Sequence, residues 1–351
     1  MALHIKIRAL TSVEKIAVLG AGSWGLTLAR HLFGKGFRVV VWDAFTERIA
    51  ELAEKKADPI RLPGFRIPDG IVLSGNIREA LEGVTLCLLA VPSHGFRETL
   101  RSALPYLPDR IVSATKGLEL GTGKTMSGII ADESPGVLYA ALTGPSIARE
   151  VARGLPASVV AASEDQGYAR YVQSLFSTDS FRVYRGSDVL GAELGGALKN
   201  VIALACGMAD GMGLGYNAKS ALVTRGLAEM MRLAVRLGAR PETLSGLAGM
   251  GDLVVTAFSP DSRNRTLGEK VGRGQRPSEA LASMVEVAEG VNTASAAREI
   301  ARSCGVETPI TDAVDMIMKE EIKPYDALRG LMTRPLKEEF YGIKEVVSDG
   351  R

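Results

Sequence analysis

Chemistry in this sequence is concentrated in one glycine-rich turn, two lysines, an aspartate and a short cluster of hydroxyl, amide and guanidinium groups. The turn is Gly20-Ala21-Gly22-Ser23-Trp24-Gly25, a G-x-G-x-x-G that follows the apolar run Ile16 to Leu19 and opens a helical pattern reaching about Phe33. In that context Gly20 permits a tight turn, Gly22 lets backbone approach a pyrophosphate, and Gly25 allows a helix to lie close on a strand. Free N–H groups at the helix start would face the anion. The chemistry implied is dinucleotide binding. Asp43 ends the next apolar run, 18 residues after Gly25, near the spacing of about 20 at which a carboxylate meets the adenine ribose hydroxyls. There it would repel the 2′-phosphate of NADP, which leans the cofactor, NAD or NADP, toward NAD. Arg48 is close enough in sequence to compensate, and capping the helical stretch Glu47 to Leu52 is a competing use of Asp43.

Lys116 follows the buried run Ile111 to Ala114 and precedes Gly117, so it should emerge at the carboxyl end of a parallel strand, where open α/β sheets bind ligands. Thr143-Gly144-Pro145-Ser146 marks a second such end, with Ser146 opening a helix through Glu150 and offering a hydroxyl and N–H groups to an anion or a polar substrate. Lys199 lies in the helical stretch Val189 to Ala209, whose apolar stripe runs through Leu194, Leu198 and Ile202. It shares a different face with Ala192, Gly195, Gly196 and Ala203. Mid-helix glycines cost about 1 kcal/mol each relative to alanine, so this small face implies close approach of another body, a cofactor ring or a second helix. If that approach desolvates Lys199, its pKa moves toward the range useful for acid–base work; otherwise the side chain snorkels outward. Asp252, within Gly249-Met250-Gly251-Asp252-Leu253, either orients a lysine or a substrate hydroxyl or finishes a turn. Ser262-Arg263-Asn264-Arg265 is suited to holding a phosphate at a helix start, with a serine cap and solvated arginines as the plainer alternative.

The elements that would position these residues follow from hydrophobic periodicity. The runs Lys15 to Leu19, Arg38 to Trp42, Thr85 to Val91, Ile111 to Ala114, Val137 to Leu142 and Ser158 to Ala161 read as buried strands alternating with helices. From Asp188 onward helical periodicity dominates, near Val189 to Ala209, Asn217 to Leu237, Ser262 to Val271, Thr293 to Ser303 and Thr311 to Lys319. The fold class expected is α/β: an N-terminal Rossmann-type doubly wound sheet followed by an all-α C-terminal domain, the 6-phosphogluconate-dehydrogenase-like architecture. The divisions expected are an extension over 1–14, a dinucleotide-binding domain over 15–187 and a helical substrate domain over 188–345.

Two domains also suit a length of 351 residues, of which 46% are hydrophobic and 23% charged. A net charge of +2 without long like-charge runs excludes a nucleic-acid binder by composition, while leaving small anions as ligands. Cys87, Cys206 and Cys304 lack disulfide or zinc spacing, and His4, His31 and His94 lack metal-ligand spacing, so no metal is expected and a reducing compartment fits. No signal-peptide core and no membrane span are read from the sequence, and the expected address is the cytoplasm.

Nine motifs in order resemble the bacterial NAD(P)-dependent glycerol-3-phosphate dehydrogenases over about residues 15 to 320: GAGSWG from Gly20, VPSH from Val91, ATKGLE from Ala114, TGPS from Thr143, GGALKNVIA from Gly195, LVTRGLAEM from Leu222, LAGMGDL from Leu247, SRNR from Ser262 and Glu289-Gly290. That family reduces dihydroxyacetone phosphate to sn-glycerol 3-phosphate for phospholipid synthesis. The resemblance implies that Lys199 is the general acid–base group, supported by Asp252 and beside Lys116. It places Lys116, Gly144 and Ser146 on the substrate and Ser262, Arg263 and Asn264 on its phosphate. Ser23, Trp24, Ala148, Arg263, Val287 and Glu289 would stand near the dinucleotide, together with Lys116. A phosphorylated small molecule is thus the expected partner, with a homodimer as the expected assembly. Two departures stand out: Trp42 is followed by Asp43-Ala44-Phe45, which questions NADPH use, and the tail from Lys323 to Arg351 runs past the shared motifs. The rival readings are a β-hydroxyacid dehydrogenase, which would share the turn and the Lys199-Asn200 pair without needing the SRNR cluster, and a non-catalytic dinucleotide sensor.

Overall fold

The computed structural model describes residues 14–339 together with 341 and 342. The expected 1–14 extension therefore lies outside the described residues except for Glu14, as do residues 340 and 343–345 at the expected end of the helical domain. Eight strands are present among the described residues: β1 (Lys15–Leu19), β2 (Arg38–Trp42), β3 (Val72–Ser74), β4 (Leu86–Leu89), β5 (Arg110–Ser113), β6 (Leu138–Thr143), β7 (Ala157–Ala162) and β8 (Phe181–Gly186). They form one sheet in the order β3-β2-β1-β4-β5-β6-β7-β8, parallel except where β6 meets β7. The direction of winding reverses between β1 and β4, and ligands of such sheets bind outside the carboxyl ends of the strands at that point.

Continuous apolar strands are required because helices cover both faces. On one face Leu26, Leu28 and Leu32 of the helix Ser23–Gly34 pack with Val172 and Phe176 of the helix Gln166–Phe176. On the other, Phe96 and Leu100 pack with Met126 and Ile130. Six strands match expected runs; β3 and β8 were not expected. β3 has only three residues, too few for a period. β8 is an edge strand in which buried Phe181 and Val183 alternate with exposed Arg182 and Tyr184, so it lacks the continuous apolar run of an inner strand.

Beyond β8 every regular element among the described residues is helical. The helix Val189–Gly211 is the axis of this region. Asp188 caps it by accepting from the Gly191 N–H at 2.8 Å, and other helices enclose nearly all of its residues. Its length and hydropathy would suffice to cross a bilayer, but 94% of its most apolar window is buried within the protein. Short helices at Pro241–Ser245, Asp252–Phe258, Pro277–Ala282 and Pro324–Met332 were not expected, being too brief to show a face.

The helix Arg263–Gly272 lies against this axis with backbone on backbone, because glycines meet from both sides. A Cβ on Gly207 would stand 2.0 Å from the Arg265 carbonyl oxygen, and one on Gly268 would stand 2.1 Å from that of Leu204. Intrinsic propensity alone would make Gly268→Ala stabilising by about 1 kcal/mol. The contact reverses the sign: the variant is expected to lose about 1–3 kcal/mol in urea unfolding through forced backbone displacement, and equal or greater stability would show that the helices do not touch there.

Candidate active site

The glycine turn begins where β1 ends. Gly20 has φ +112°, its N–H donates to the Trp42 carbonyl at 2.7 Å, and a side chain there would run into Ala90. A Cβ on Gly25 would fall 1.9 Å from the Gly20 carbonyl oxygen, so the helix can close on the turn only with glycine here. Nothing lies within 4 Å of the Cβ position of Gly22, the open spot where a pyrophosphate can approach backbone. The helix Ser23–Gly34 has no side-chain cap and no acidic residue in its first turn, leaving its N–H groups available to an anion. A nicotinamide dinucleotide fits these features.

Asp43 serves this turn and does not cap the following helix. Its Oδ2 accepts from the Ala21 N–H at 2.8 Å and its Oδ1 from the Phe45 N–H at 3.1 Å, while Phe45 occupies the cap position of the helix Thr46–Lys55. Arg48 donates to the Ala21 carbonyl and pairs with Asp58 at 2.7 Å, so its charge is already engaged.

A cleft of about 910 Å³ runs from Asp43 past the turn to Lys116, Lys199 and Arg263. At its inner end a single carboxylate joins two lysines. Lys199 Nζ donates to Asp252 Oδ1 at 2.7 Å and to Thr256 Oγ1 at 2.7 Å; Lys116 Nζ donates to Asp252 Oδ2 at 2.6 Å and to the Gly144 carbonyl at 3.1 Å. The Asp252 side chain is 2% exposed. Burial disfavours the Lys199 ammonium and lowers its pKa from the ordinary 10.5 to about 7; Asp252 pulls it upward, and Lys116 and Arg263 push it down. That value suits proton transfer near neutrality.

Local sequence explains how these groups meet. Lys116 leaves the sheet just after β5, beside the carbonyl that Gly144 presents after β6 at φ +134°. Gly195 gives room to the Ala248 backbone, and Gly196 to the Thr143 hydroxyl and the Lys116 stem. The body expected against the small face of the Lys199 helix is thus the segment Leu247–Gly251 together with Lys116. That segment is a π-helical turn leading directly into Asp252–Phe258, which lifts Asp252 and Thr256, one helical turn apart, to the same lysine.

At the start of Arg263–Gly272, Ser262 is the cap, accepting from the Arg265 N–H at 3.2 Å. Asn264 is buried between Asn200 and the Gly290 N–H, while Arg263 is half exposed and 4.0 Å from Glu286. Glu286 also accepts from the Ser23 hydroxyl at 2.7 Å, and Glu289 accepts from the Ser93 N–H at 2.9 Å, so the 286–289 loop ties the helical region to the glycine turn. Val287, Ala148 and Trp24 line the same cleft.

Of the residues singled out in the sequence, Gly20, Gly22, Ser23, Trp24, Asp43, Lys116, Ser146, Ala148, Lys199, Asp252, Ser262, Arg263, Asn264, Val287 and Glu289 line the cleft; Gly25 and Gly144 do not, Gly25 packing on the Gly20 carbonyl and Gly144 offering its carbonyl to Lys116. Ser146 does not open a helix: its hydroxyl donates back to the Gly144 carbonyl at 2.8 Å, and the helix is Ala148–Ala152. Sequence reasoning missed Thr256 and Glu286. A helix assigned from Asp252 would have found Thr256 by its i+4 spacing; nothing local marked Glu286. His94 lines the cleft, whereas His31 is packed on Phe176 and Phe181.

Residues 15–169 match the family described as NAD-dependent glycerol-3-phosphate dehydrogenase N-terminus, and residues 188–329 match its C-terminus. The glycerol-3-phosphate dehydrogenase [NAD(P)+] of Citrifermentans bemidjiense is 46% identical over 331 residues, covering 93% of this chain and 99% of that protein. The enzyme of the same name from Chlorobium limicola is 47% identical over the same length, with the same coverage of both chains. A crystal structure of glycerol-3-phosphate dehydrogenase from Coxiella burnetii superposes with a TM-score of 0.89 at 37% identity, over 92% of this chain and 99% of the other. This chain belongs to the NAD-dependent glycerol-3-phosphate dehydrogenase family.

Removing the shared carboxylate takes the counter-charge from buried Lys199 and from partly buried Lys116. Asp252→Asn is expected to cost about 3–5 kcal/mol at pH 6, where the Lys199 ammonium of the parent protein has Asp252 as its partner. At pH 9, above the folded pKa of Lys199, the parent protein no longer gains from that ion pair, so the cost should shrink. Urea unfolding at the two pH values checks this; a cost independent of pH would contradict the shared pairing.

Proposed function

We propose that this member of the family reduces dihydroxyacetone phosphate to sn-glycerol 3-phosphate, with Lys199 delivering the proton that completes the reduction. The observation that carries the reading is one carboxylate holding Lys199 and Lys116 together at the end of a dinucleotide-shaped cleft. A bound nicotinamide dinucleotide supplies the hydride to C2 of the ketone. Lys116 and Lys199 direct positive charge at the carbonyl oxygen where negative charge develops, in surroundings that water screens poorly. The Lys199 ammonium passes one proton to that oxygen, becomes the neutral amine and regains a proton from solvent. Asp252 holds both lysines in place and Thr256 fixes the direction of Lys199. Arg263, with Ser262, Asn264 and the N–H groups at the helix start, receives the substrate phosphate. Ser146 orients the substrate from the sheet side.

Asp43 favours NADH over NADPH: a carboxylate at the end of β2 would repel a 2′-phosphate, and Arg48, the nearby cation, is paired with Asp58. We place the enzyme in the cytoplasm, feeding glycerophospholipid synthesis. All the groups invoked come from one chain, so this reading does not require the homodimer; dimerisation is a separate proposal, which sedimentation equilibrium tests.

Lys199→Ala should lower kcat for reduction by about 10²–10⁴-fold, the usual contribution of a positioned acid, while the far-UV spectrum stays unchanged. Reduction should decline as pH rises through about 7, because the acid is then deprotonated; oxidation of glycerol 3-phosphate should rise over the same range, because the base is then free. Near-normal turnover in the variant would refute the assignment. For the cofactor, kcat/KM should be higher with NADH than with NADPH, and Asp43→Ser should narrow the ratio; an unchanged ratio would remove Asp43 from the specificity.

A further inference from the structure

A second cavity, of about 330 Å³, lies away from the cleft between the helix Gly215–Arg236, residues 304–307 and the C-terminal residues Lys337, Tyr341 and Gly342. Its walls carry Arg232, Arg236 and Lys337 against a single carboxylate, Glu307. That carboxylate is already engaged. Lys337 donates to it at 2.6 Å and Arg334 at 2.9 Å, and these cations hold its carboxyl below the usual range. Cationic charge is therefore in excess around this space.

Arg232 is the informative residue. It is 6% exposed, its Nη2 donates to the Glu307 carbonyl at 3.3 Å, and the Tyr341 ring lies 4.7 Å from its guanidinium carbon. Its Nε and Nη1 are buried and have no hydrogen-bond partner among the described residues. A guanidinium cannot shed its proton to escape this situation. Folded proteins pair nearly all such groups, with water or an ion where protein atoms fail. Uncompensated donors on a buried cation, with two further cations at the rim, match the chemistry of an oxyanion, which accepts several charge-assisted hydrogen bonds at once.

We propose that this cavity binds a small dianionic oxyanion of the phosphate class, with Arg232 as its buried partner and Arg236 and Lys337 as the cations at its mouth. The site shares no residue with the dinucleotide cleft, so it stands or falls independently of the dehydrogenase mechanism. A dianion suits the local charge better than a monoanion: the lining residues set the cations Arg232, Arg236 and Lys337 against the Glu307 carboxylate, and the other carboxylate that acts on Arg232, Glu229, lies outside the lining, turned to the N–H groups of Ile310 and Thr311. An occupant would bridge the helix Gly215–Arg236 to the C-terminal segment that carries Lys337 and Tyr341, stabilising the seating of that segment.

Thermal unfolding of the full chain tests this. The Arg263→Ala protein is used throughout, to weaken phosphate binding in the cleft, and inorganic phosphate is compared with chloride at equal ionic strength. Phosphate at about ten times its dissociation constant should raise Tm by about 2–4 °C, the size expected when a ligand binds only the folded state. Adding Arg236→Gln and Lys337→Gln should abolish the shift while leaving Tm in chloride nearly unchanged. These exposed positions avoid the risk that replacing buried Arg232 prevents folding. A parallel titration with glycerol 2-phosphate separates sources: a larger shift assigns the site to phosphate monoesters, a smaller one to the free ion. No phosphate-specific shift in the Arg263→Ala protein, or an equal shift after both glutamine substitutions, would overturn the proposal.

Discussion

The Asp252 carboxylate gives one oxygen to Lys199 and the other to Lys116, and the cost of burying these three charges constrains most of the molecule. A cation taken from water is tolerated only when its partner is held at hydrogen-bond distance from the correct direction. Here the partners come from separate parts of the chain: Lys116 from the end of β5, Lys199 from the axial helix, Asp252 from the short helix after the glycine-rich π turn. The sheet and the helical region must therefore meet at a fixed height and angle. One carboxylate shared by two lysines also leaves net positive charge at the end of the cleft. That excess, together with burial, sets Lys199 apart from an ordinary surface lysine.

Glycine makes the approach possible. Gly195 and Gly196 let the Ala248 backbone and Lys116 reach the axial helix, and Gly207 and Gly268 let the helix Arg263–Gly272 settle onto it. These positions forgo helix propensity in exchange for proximity. The arrangement delivers Asn264 to Asn200 and sets Arg263 opposite the loop containing Glu286. Glu286 and Glu289 then reach back to Ser23 and Ser93, so the cleft is closed by side chains of the helical region binding to turns of the sheet.

Much of this was legible before the structure. The glycine turn carries its own geometry in its spacing, because each glycine answers a different steric demand, and Lys199 announced itself through the unusual small residues on its helix face. What stayed hidden depends on contacts remote in sequence. Asp43 was open between a ribose contact and a helix cap until its bond to the Ala21 N–H removed the cap. Thr256 was invisible because the helix Asp252–Phe258 is too short to display a period. β3 and β8 escaped because edge strands need not be apolar on both faces. The buried Arg232 lies in a helix whose pattern looks ordinary, and only the packing around it shows that two of its nitrogens lack partners among the described residues.

The central claim is that burial beside a shared carboxylate turns Lys199 into an acid poised near neutrality. NMR titration of the protein with ¹³C at the lysine Cε tests it most directly, with the Lys199→Arg variant used to assign the resonance. The account predicts one lysine signal with a midpoint near pH 7 that is missing from the variant. If every lysine instead titrates close to its ordinary value, about 10.4, the shared carboxylate has not poised Lys199 and the account is wrong.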